Sequence, residues 1–309
     1  MKTIRKQVSS SAAKKFEEWK IAKGVEEKAK TEIAAKDLWD CIGEIMELET
    51  GEKINPKKEL QLALLQEQGY ICCYCGKRID ETNMRIEHFF PKTHNKPCTY
   101  NYYNLHAACK GGGEGYCFIG QEGIITRRDI CEKYNIQEDE LLTLNKKNKG
   151  WVPQKGDKVK VYKDPYHCDN LKDSHANNPN YQSGQKDKNG NTSVFSSPFI
   201  LSPLLNDIET RFKYLNDGKI VAQNDSDLRA KDTLTLLGLT LEPLNKERRK
   251  IVKVANKLIE EKYDEFGSDI DSFIDWLKQE LDALYQKEKL DEFCFVTAYF
   301  FRTNIPQTS

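Results

Sequence analysis

Ile71–Cys109 reads ICCYCGKRIDETNMRIEHFFPKTHNKPCTYNYYNLHAAC, and two kinds of metal chemistry fall within it. Cys72-x-x-Cys75 with Gly76 behind it is the tight knuckle in which two thiolates turn onto one Zn²⁺. Cys109, at the end of what reads as the first turns of a helix, is placed to supply a third thiolate. Between them, Met84 and Ile86 alternate with Arg85 and Glu87, the period of a β-strand. That strand ends in a carboxylate and an imidazole, Glu87-His88, and is followed by a loop with Pro91 and then by Asn104-Leu105.

Working outward, LLQEQGYICCYC (64–75), IEHFFPK (86–92), YNYYNLHAAC (100–109), HCDNLKD (167–173) and, more loosely, ILSPLL (200–205) and LTLEPLNKERRK (239–250) resemble the HNH endonucleases. Within these the resemblance is to the PtuB-like nucleases of Septu and retron-associated anti-phage defence. It implies an α+β fold: a zinc-stapled ββα-metal nuclease core embedded in a mostly helical chain. It also implies that His88 is the general base, that Glu87 is a hard-oxygen ligand of a catalytic Mg²⁺ or Mn²⁺, and that the Asn104 amide pins the loop holding the base. In Cys168-Asp169-Asn170-Leu171-Lys172 the resemblance makes Cys168 the fourth thiolate of a structural Zn²⁺, Asp169 the second ligand of the catalytic cation, and Lys172 a phosphate contact. Cys117 stands as an alternative fourth thiolate, His167 as a further candidate for either metal, and Cys73 as an alternative to Cys72. His94, Cys98 and His106 fall inside the motif and read as ordinary loop or helix side chains. Lys92, Arg248 and Arg249 are candidate substrate contacts. The implied partners are a PtuA-like ATPase that controls the nuclease, a nucleic acid substrate (DNA, or RNA including tRNA), and, for retron versions, a reverse transcriptase with its DNA. A rival reading is a zinc-stapled adaptor whose catalytic site has decayed.

The whole chain bounds these readings. Its 309 residues carry 48 Lys and Arg against 48 Asp and Glu, a formal net charge of zero, so nucleic acid has to be held by local basic clusters and not by bulk attraction. The start, MKTIRKQVSSSAAKKFEEW, lacks the apolar core of a signal peptide, and no run approaches the ~20 apolar residues of a membrane span. A cytoplasmic protein is expected, with ten reduced cysteines: the clustered ones metal ligands, and Cys41, Cys131 and Cys294 ordinary buried residues.

Four regions are expected. Residues 1–68 form a helical cap, with Phe16, Trp19 and Ile21 and then Ile33, Leu38, Trp39, Ile42 and Ile45 at helical spacing, a break near 51–56, and a helix from Pro56 to Gln68; Lys2, Arg5, Lys6, Lys14 and Lys15 are its candidate DNA contacts. Residues 69–117 and 165–222 form a discontinuous nuclease module, ending in a hairpin of Phe212–Tyr214 and Ile220-Val221 about Asn216-Asp217-Gly218. Residues 118–164 resemble a LysM-like βααβ insertion with strands at Ile124-Ile125 and Val159–Val161 and basic residues Arg127, Arg128, Lys146, Lys147 and Lys149. Residues 223–309 are helical, with Ile251, Val254, Leu258 and Ile259 on one face and Ile270, Phe273, Ile274, Leu277 and Leu281 on another. Their run Lys246, Arg248, Arg249, Lys250, Lys253 and Lys257 is a solvated face or a phosphate track, and FCFVTAYFF (293–301) is a core helix or a partner surface.

Overall fold

The computed structural model describes residues 1–93, 96–111, 116–120, 123–125, 160–163, 167–174, 185–186, 192–194 and 200–306. The N-terminal part is helical, as its periodicity predicts: α1 (Ser11–Lys23), α2 (Val25–Lys28) and α3 (Ala35–Asp40), then the short pair β1 (Met46–Glu47) and β2 (Lys53–Ile54), then α4 (Pro56–Gln68). Helix α4 begins and ends where its chemistry dictates. Asn55 Oδ1 accepts from the backbone N–H groups of Lys57 and Lys58 at 3.1 and 3.2 Å, Pro56 occupies the first turn, and Gly69 closes the helix in the left-handed region. Phe16 and Trp19 of α1 are buried against Tyr100, whereas Ile21 is 73% exposed and belongs to the opposite face.

The centre is an antiparallel pair, β3 (Met84–His88) and β4 (Leu105–Cys109), in the register Met84↔Cys109, Glu87↔His106 and His88↔Leu105. Cys109 therefore ends a strand and not the first turns of a helix. The reason is tertiary: the Gln68 side chain at the end of α4 donates to Ala107 O at 2.8 Å and accepts from Ala107 N at 2.8 Å, holding β4 extended along an edge that a helix would not present. Helix α5 (Cys168–Ser174) follows much later in the chain. Strand β5 (Tyr116–Gly120) lies between β6 (Gly123–Ile125) and β7 (Lys160–Lys163), order β6-β5-β7, so the strands near Ile124 and Val161 each pair with β5. The two helices of the expected βααβ segment, and its basic residues Arg127, Arg128, Lys146, Lys147 and Lys149, lie outside the described residues, as does His94.

A small pair, β8 (Gln185–Lys186) and β9 (Thr192–Val194), precedes the hairpin β10 (Phe212–Tyr214) and β11 (Ile220–Ala222), which pairs as the Asn-Asp-Gly turn predicts. Helices α6 (Leu228–Leu236), α7 (Glu242–Phe266), α8 (Ile270–Ala283) and α9 (Cys294–Thr303) complete the chain. On α7 the buried stripe is Leu244, Arg248, Val252, Ala255 and Ile259, and Val254 is 66% exposed, so the apolar face is rotated from the one the sequence suggests. Helix α9 buries Phe295, Val296, Phe300 and Phe301, which settles FCFVTAYFF as core. One continuous hydrophobic cluster runs from α1 through α4, the β3–β4 pair and Cys168 to α9. No helix among the described residues is long and apolar enough to cross a membrane.

Candidate active site and cysteine cluster

The Cys72–Cys75 knuckle is drawn tight by backbone bonds, with Gly76 N donating to Cys72 O at 3.0 Å and Cys72 N to Lys77 O at 2.8 Å. Gly76 has φ +79°, and a Cβ there would lie 2.3 Å from the Phe295 ring, so the turn needs glycine twice over. Met84↔Cys109 pairing carries Cys109 to the knuckle, and Cys168 arrives from α5, its N–H donating to Leu237 O at 2.9 Å. The four sulfurs of Cys72, Cys75, Cys109 and Cys168 lie within 4.8 Å of one another, with Cys72–Cys168 at 3.9 Å and Cys75–Cys109 at 3.7 Å. A tetrahedron with bonds of ~2.3 Å has edges of about 3.8 Å, so the cluster has the donors and spacing of a four-thiolate zinc site. Burial works against thiolates here, yet the thiols of Cys109 and Cys168 pull Cys75 down to about 6 and Cys72 well below its ordinary value. Such a cluster gathers negative charge and needs a cation to balance it. His167 stands behind it with Nδ1 3.2 Å from Cys168 Sγ, placed as a hydrogen-bonding neighbour of that sulfur. Cys73 is buried too, but its thiol is raised well above the usual value, chiefly by burial, and it is not among the four converging sulfurs.

One residue beyond Cys168, Asp169 faces the end of β3. Arg85, Glu87, His88 and Asp169 line a cleft of about 520 Å³ together with Trp39, Lys57, Gln61, Pro91, Lys92 and Thr93. The structure thus brings Asp169 to the Glu87–His88 pair although 81 positions separate it from His88 in sequence. Glu87 is buried, and its Oε1 accepts from Tyr74 Oη at 2.7 Å and from Lys172 Nζ at 2.6 Å. Burial raises the Glu87 carboxyl, but the Lys172 ammonium, with hydrogen bonding to Asp169, Lys172 and Tyr74, holds it below the ordinary carboxylate value. Two carboxylates so close in a buried setting fit a hard divalent cation. Arg85 Nη1 lies 3.7 Å from Asp169 Oδ2 at the rim.

His88 Nε2 lies 3.0 Å from the carbonyl of Thr99. A carbonyl only accepts, so this nitrogen carries the proton and Nδ1 keeps its lone pair. Burial, then the Lys92 ammonium, press the His88 pKa down to about 3, and the ring is neutral; Trp39 packs edge-on against it at 4.6 Å. Asn104, wholly buried, clamps the intervening loop: Oδ1 accepts from Phe90 N at 2.7 Å, and Nδ2 donates to Phe90 O at 2.9 Å and Cys98 O at 3.1 Å.

Other expected contacts fall elsewhere. Lys172, read as a phosphate contact, is 1% exposed and spends its ammonium on Glu87 and on the His88 carbonyl at 2.8 Å. Arg248, read as part of a basic track, is equally buried and clasps the β10–β11 hairpin, donating to Gly218 O at 2.8 Å and Leu239 O at 2.7 Å; Arg249 donates to Asp217 O at 2.9 Å. Lys6 lies inside the fold, paired with Glu67 at 2.6 Å and donating to Leu105 O, so it is not a surface contact for DNA. Lys92 does border the cleft, 5.7 Å from the Trp39 ring centroid. A larger cleft, about 1040 Å³, lies between the N-terminal segment and residues 285–290; its Glu209 and Arg302 pair with each other at 2.8 Å, and no carboxylate–imidazole set converges there.

Sequence reasoning missed Tyr74, Gln68 and Trp39, none of which belongs to a metal-ligand or acid–base pattern. His106 was read as an unremarkable helix residue; it lies on β4, fully buried, and among the described residues neither ring nitrogen has a partner.

No family model matches the chain. A curated relative, Septu protein PtuB of Bacillus thuringiensis, is 37% identical over 65 residues, which is 20% of this chain and 25% of that protein. The chain thus aligns with about a quarter of that relative's length.

Proposed function

We propose that the chain is a metal-dependent phosphodiester hydrolase of the HNH type, acting on nucleic acid as a Septu-related anti-phage defence protein. The observation that carries this reading is the meeting, in one cleft, of a neutral imidazole whose Nδ1 keeps its lone pair and two adjacent buried carboxylates. The partial likeness to Septu protein PtuB supports the defence role.

In this reading His88 Nδ1 takes a proton from the attacking water as the water oxygen bonds to phosphorus and the bond to the leaving ribose oxygen breaks. Thr99 O fixes the reactive tautomer, and Asn104 fixes the loop that leads to Thr99. A pKa near 3 makes proton uptake costly; the phosphate of a bound substrate offsets the repulsion from Lys92 and raises the basicity of the ring. Glu87 and Asp169 would hold Mg²⁺ or Mn²⁺, which when bound supplies the Lewis acidity that stabilises charge on the phosphate and the leaving oxygen. Lys57, Arg85 and Lys92 on the walls attract the backbone, and the zero net charge fits a nuclease delivered to its substrate by an ATPase partner of the PtuA type. The four cysteines staple the unit around Zn²⁺.

The test is cleavage of plasmid DNA and of tRNA by the purified chain, with and without that ATPase, in Mg²⁺ or Mn²⁺. Cleavage that disappears in a folded His88→Ala chain is the expected result. Cleavage that survives the substitution, or that chelation of divalent ions leaves untouched, overturns the reading, and absence of any cleavage with the ATPase present favours the adaptor.

A further inference from the structure

Between the sulfur cluster and the acidic cleft stands one side chain. Tyr74 lies inside the knuckle, between Cys72 and Cys75, where its backbone has little freedom: Cys73 N donates to Ala107 O at 3.0 Å on one side, and Gly76 is fixed by Cys72 on the other. The ring is 1% exposed, and its hydroxyl reaches Glu87 Oε1 at 2.7 Å. The same oxygen receives the Lys172 ammonium at 2.6 Å. The torsion that turns a glutamate carboxylate is broad and nearly two-fold, so an unsupported Glu87 would rotate freely in its plane. Two donors on Oε1 stop that rotation and hold the carboxylate in one orientation beside Asp169, to which it is also hydrogen bonded. The second carboxylate is tied to the cluster as well. Asp169 directly follows Cys168, whose φ of +53° is a left-handed conformation that a cysteine rarely adopts unless its surroundings impose it.

We propose that Tyr74 is a positioning residue: from the cysteine knuckle it locks the orientation of the Glu87 carboxylate so that, with Asp169, it can hold a divalent cation, and so couples the state of the sulfur cluster to cation affinity in the cleft. The inference rests on the metal-dependent reading above and assigns a side chain that carries no metal ligand and touches no substrate. Outer hydrogen-bond partners of ligating groups are typically worth about 10- to 100-fold in metal affinity. Because Lys172 remains on the same oxygen, the lower end, about tenfold, is expected.

The experiment measures zinc content, melting temperature, Mn²⁺ binding by electron paramagnetic resonance, and cleavage rate as a function of Mn²⁺, for the full chain and for Tyr74→Phe. Support is an about tenfold weaker Mn²⁺ affinity with zinc content unchanged and with kcat recovered at saturating Mn²⁺, a split that mere loss of packing would not produce. Mn²⁺ affinity equal to that of the parent, with zinc intact, overturns the inference. Should Tyr74→Phe not fold, the parent chain reconstituted with the larger Cd²⁺ in the cluster gives the answer: weaker Mn²⁺ binding supports the coupling and unchanged binding refutes it. A Glu87→Gln, Asp169→Asn double variant separates the two levels. If it binds Mn²⁺ as well as the parent does, or if the parent binds none, the metal-dependent reading falls and the role of Tyr74 with it.

Discussion

Removing the Asn104 amide should damage both the stability of the chain and its chemistry. Asn104→Ala deletes an acceptor 2.7 Å from Phe90 N and donors 2.9 and 3.1 Å from Phe90 O and Cys98 O, at a position with no solvent access to replace them. Each buried group left without a partner costs about 1–3 kcal/mol, and the three are coupled through one loop, so a total of about 3–5 kcal/mol is expected. For a chain of this size that corresponds to a fall in melting temperature of roughly 10 °C. The loop runs into Thr99, whose carbonyl holds His88 Nε2 at 3.0 Å, so a shift of about 1 Å there should lower kcat on the order of 100-fold. Differential scanning fluorimetry and plasmid nicking, read against Asn101→Ala, which removes a local cap on Tyr103 N worth about 1 kcal/mol, make the comparison. An Asn104→Ala chain that melts within about 2 °C of the parent and cleaves at the parental rate would refute the reasoning.

Metal analysis should find zinc bound to the parent and retained in Cys117→Ser, whereas Cys168→Ser loses it together with the cooperative melt; zinc loss in Cys117→Ser alone would reverse the choice of fourth ligand. Lys6→Met leaves Glu67 buried without its 2.6 Å partner and should cost about 3–5 kcal/mol in urea denaturation, against under about 0.5 kcal/mol for the exposed Lys14→Ala. Arg248→Ala should loosen the β10–β11 hairpin and lower stability by a few kcal/mol, with no change in the salt dependence of nucleic acid binding, since a phosphate contact would have reduced that slope by about one. Glu87 and Glu209 both ionise more readily folded than unfolded, the latter because Arg302 and Tyr285 outweigh its burial; their contribution is therefore complete above the ordinary value of 4.5 and drains away as pH falls through the lower folded values. Urea midpoints between pH 6 and 3 should show that loss, and Glu209→Gln should lessen it.

Local chemistry made some of this architecture readable in advance. Asn55-Pro56 and Gly69 bracket α4 because caps act within a turn, and the Asn-Asp-Gly turn specifies its hairpin by backbone twist alone. Strand β4 was not readable, since what holds Leu105–Cys109 extended is Gln68, thirty-nine positions before its partner Ala107. The direction in which Arg248 points is decided by carbonyls at Gly218 and Leu239, and a helical wheel has no access to them. At the candidate site, the pattern singled out Glu87, His88 and Asp169, which share one cleft, and Asn104, which clamps the adjoining loop. Lys172 was found with the wrong duty, because whether an ammonium faces a cleft or a carboxylate depends on burial.

The far position of Cys168 has a consequence for biosynthesis. A polypeptide emerging from the ribosome at ~5–20 residues per second exposes the knuckle, the imidazole and Cys109 well before the last sulfur and Asp169 arrive. Until then the nascent chain lacks one ligand of each proposed ion. Lengthening that connection costs only about 0.6 kcal/mol per doubling, so the interval between synthesis of the first and last sulfurs can be extended at little thermodynamic expense.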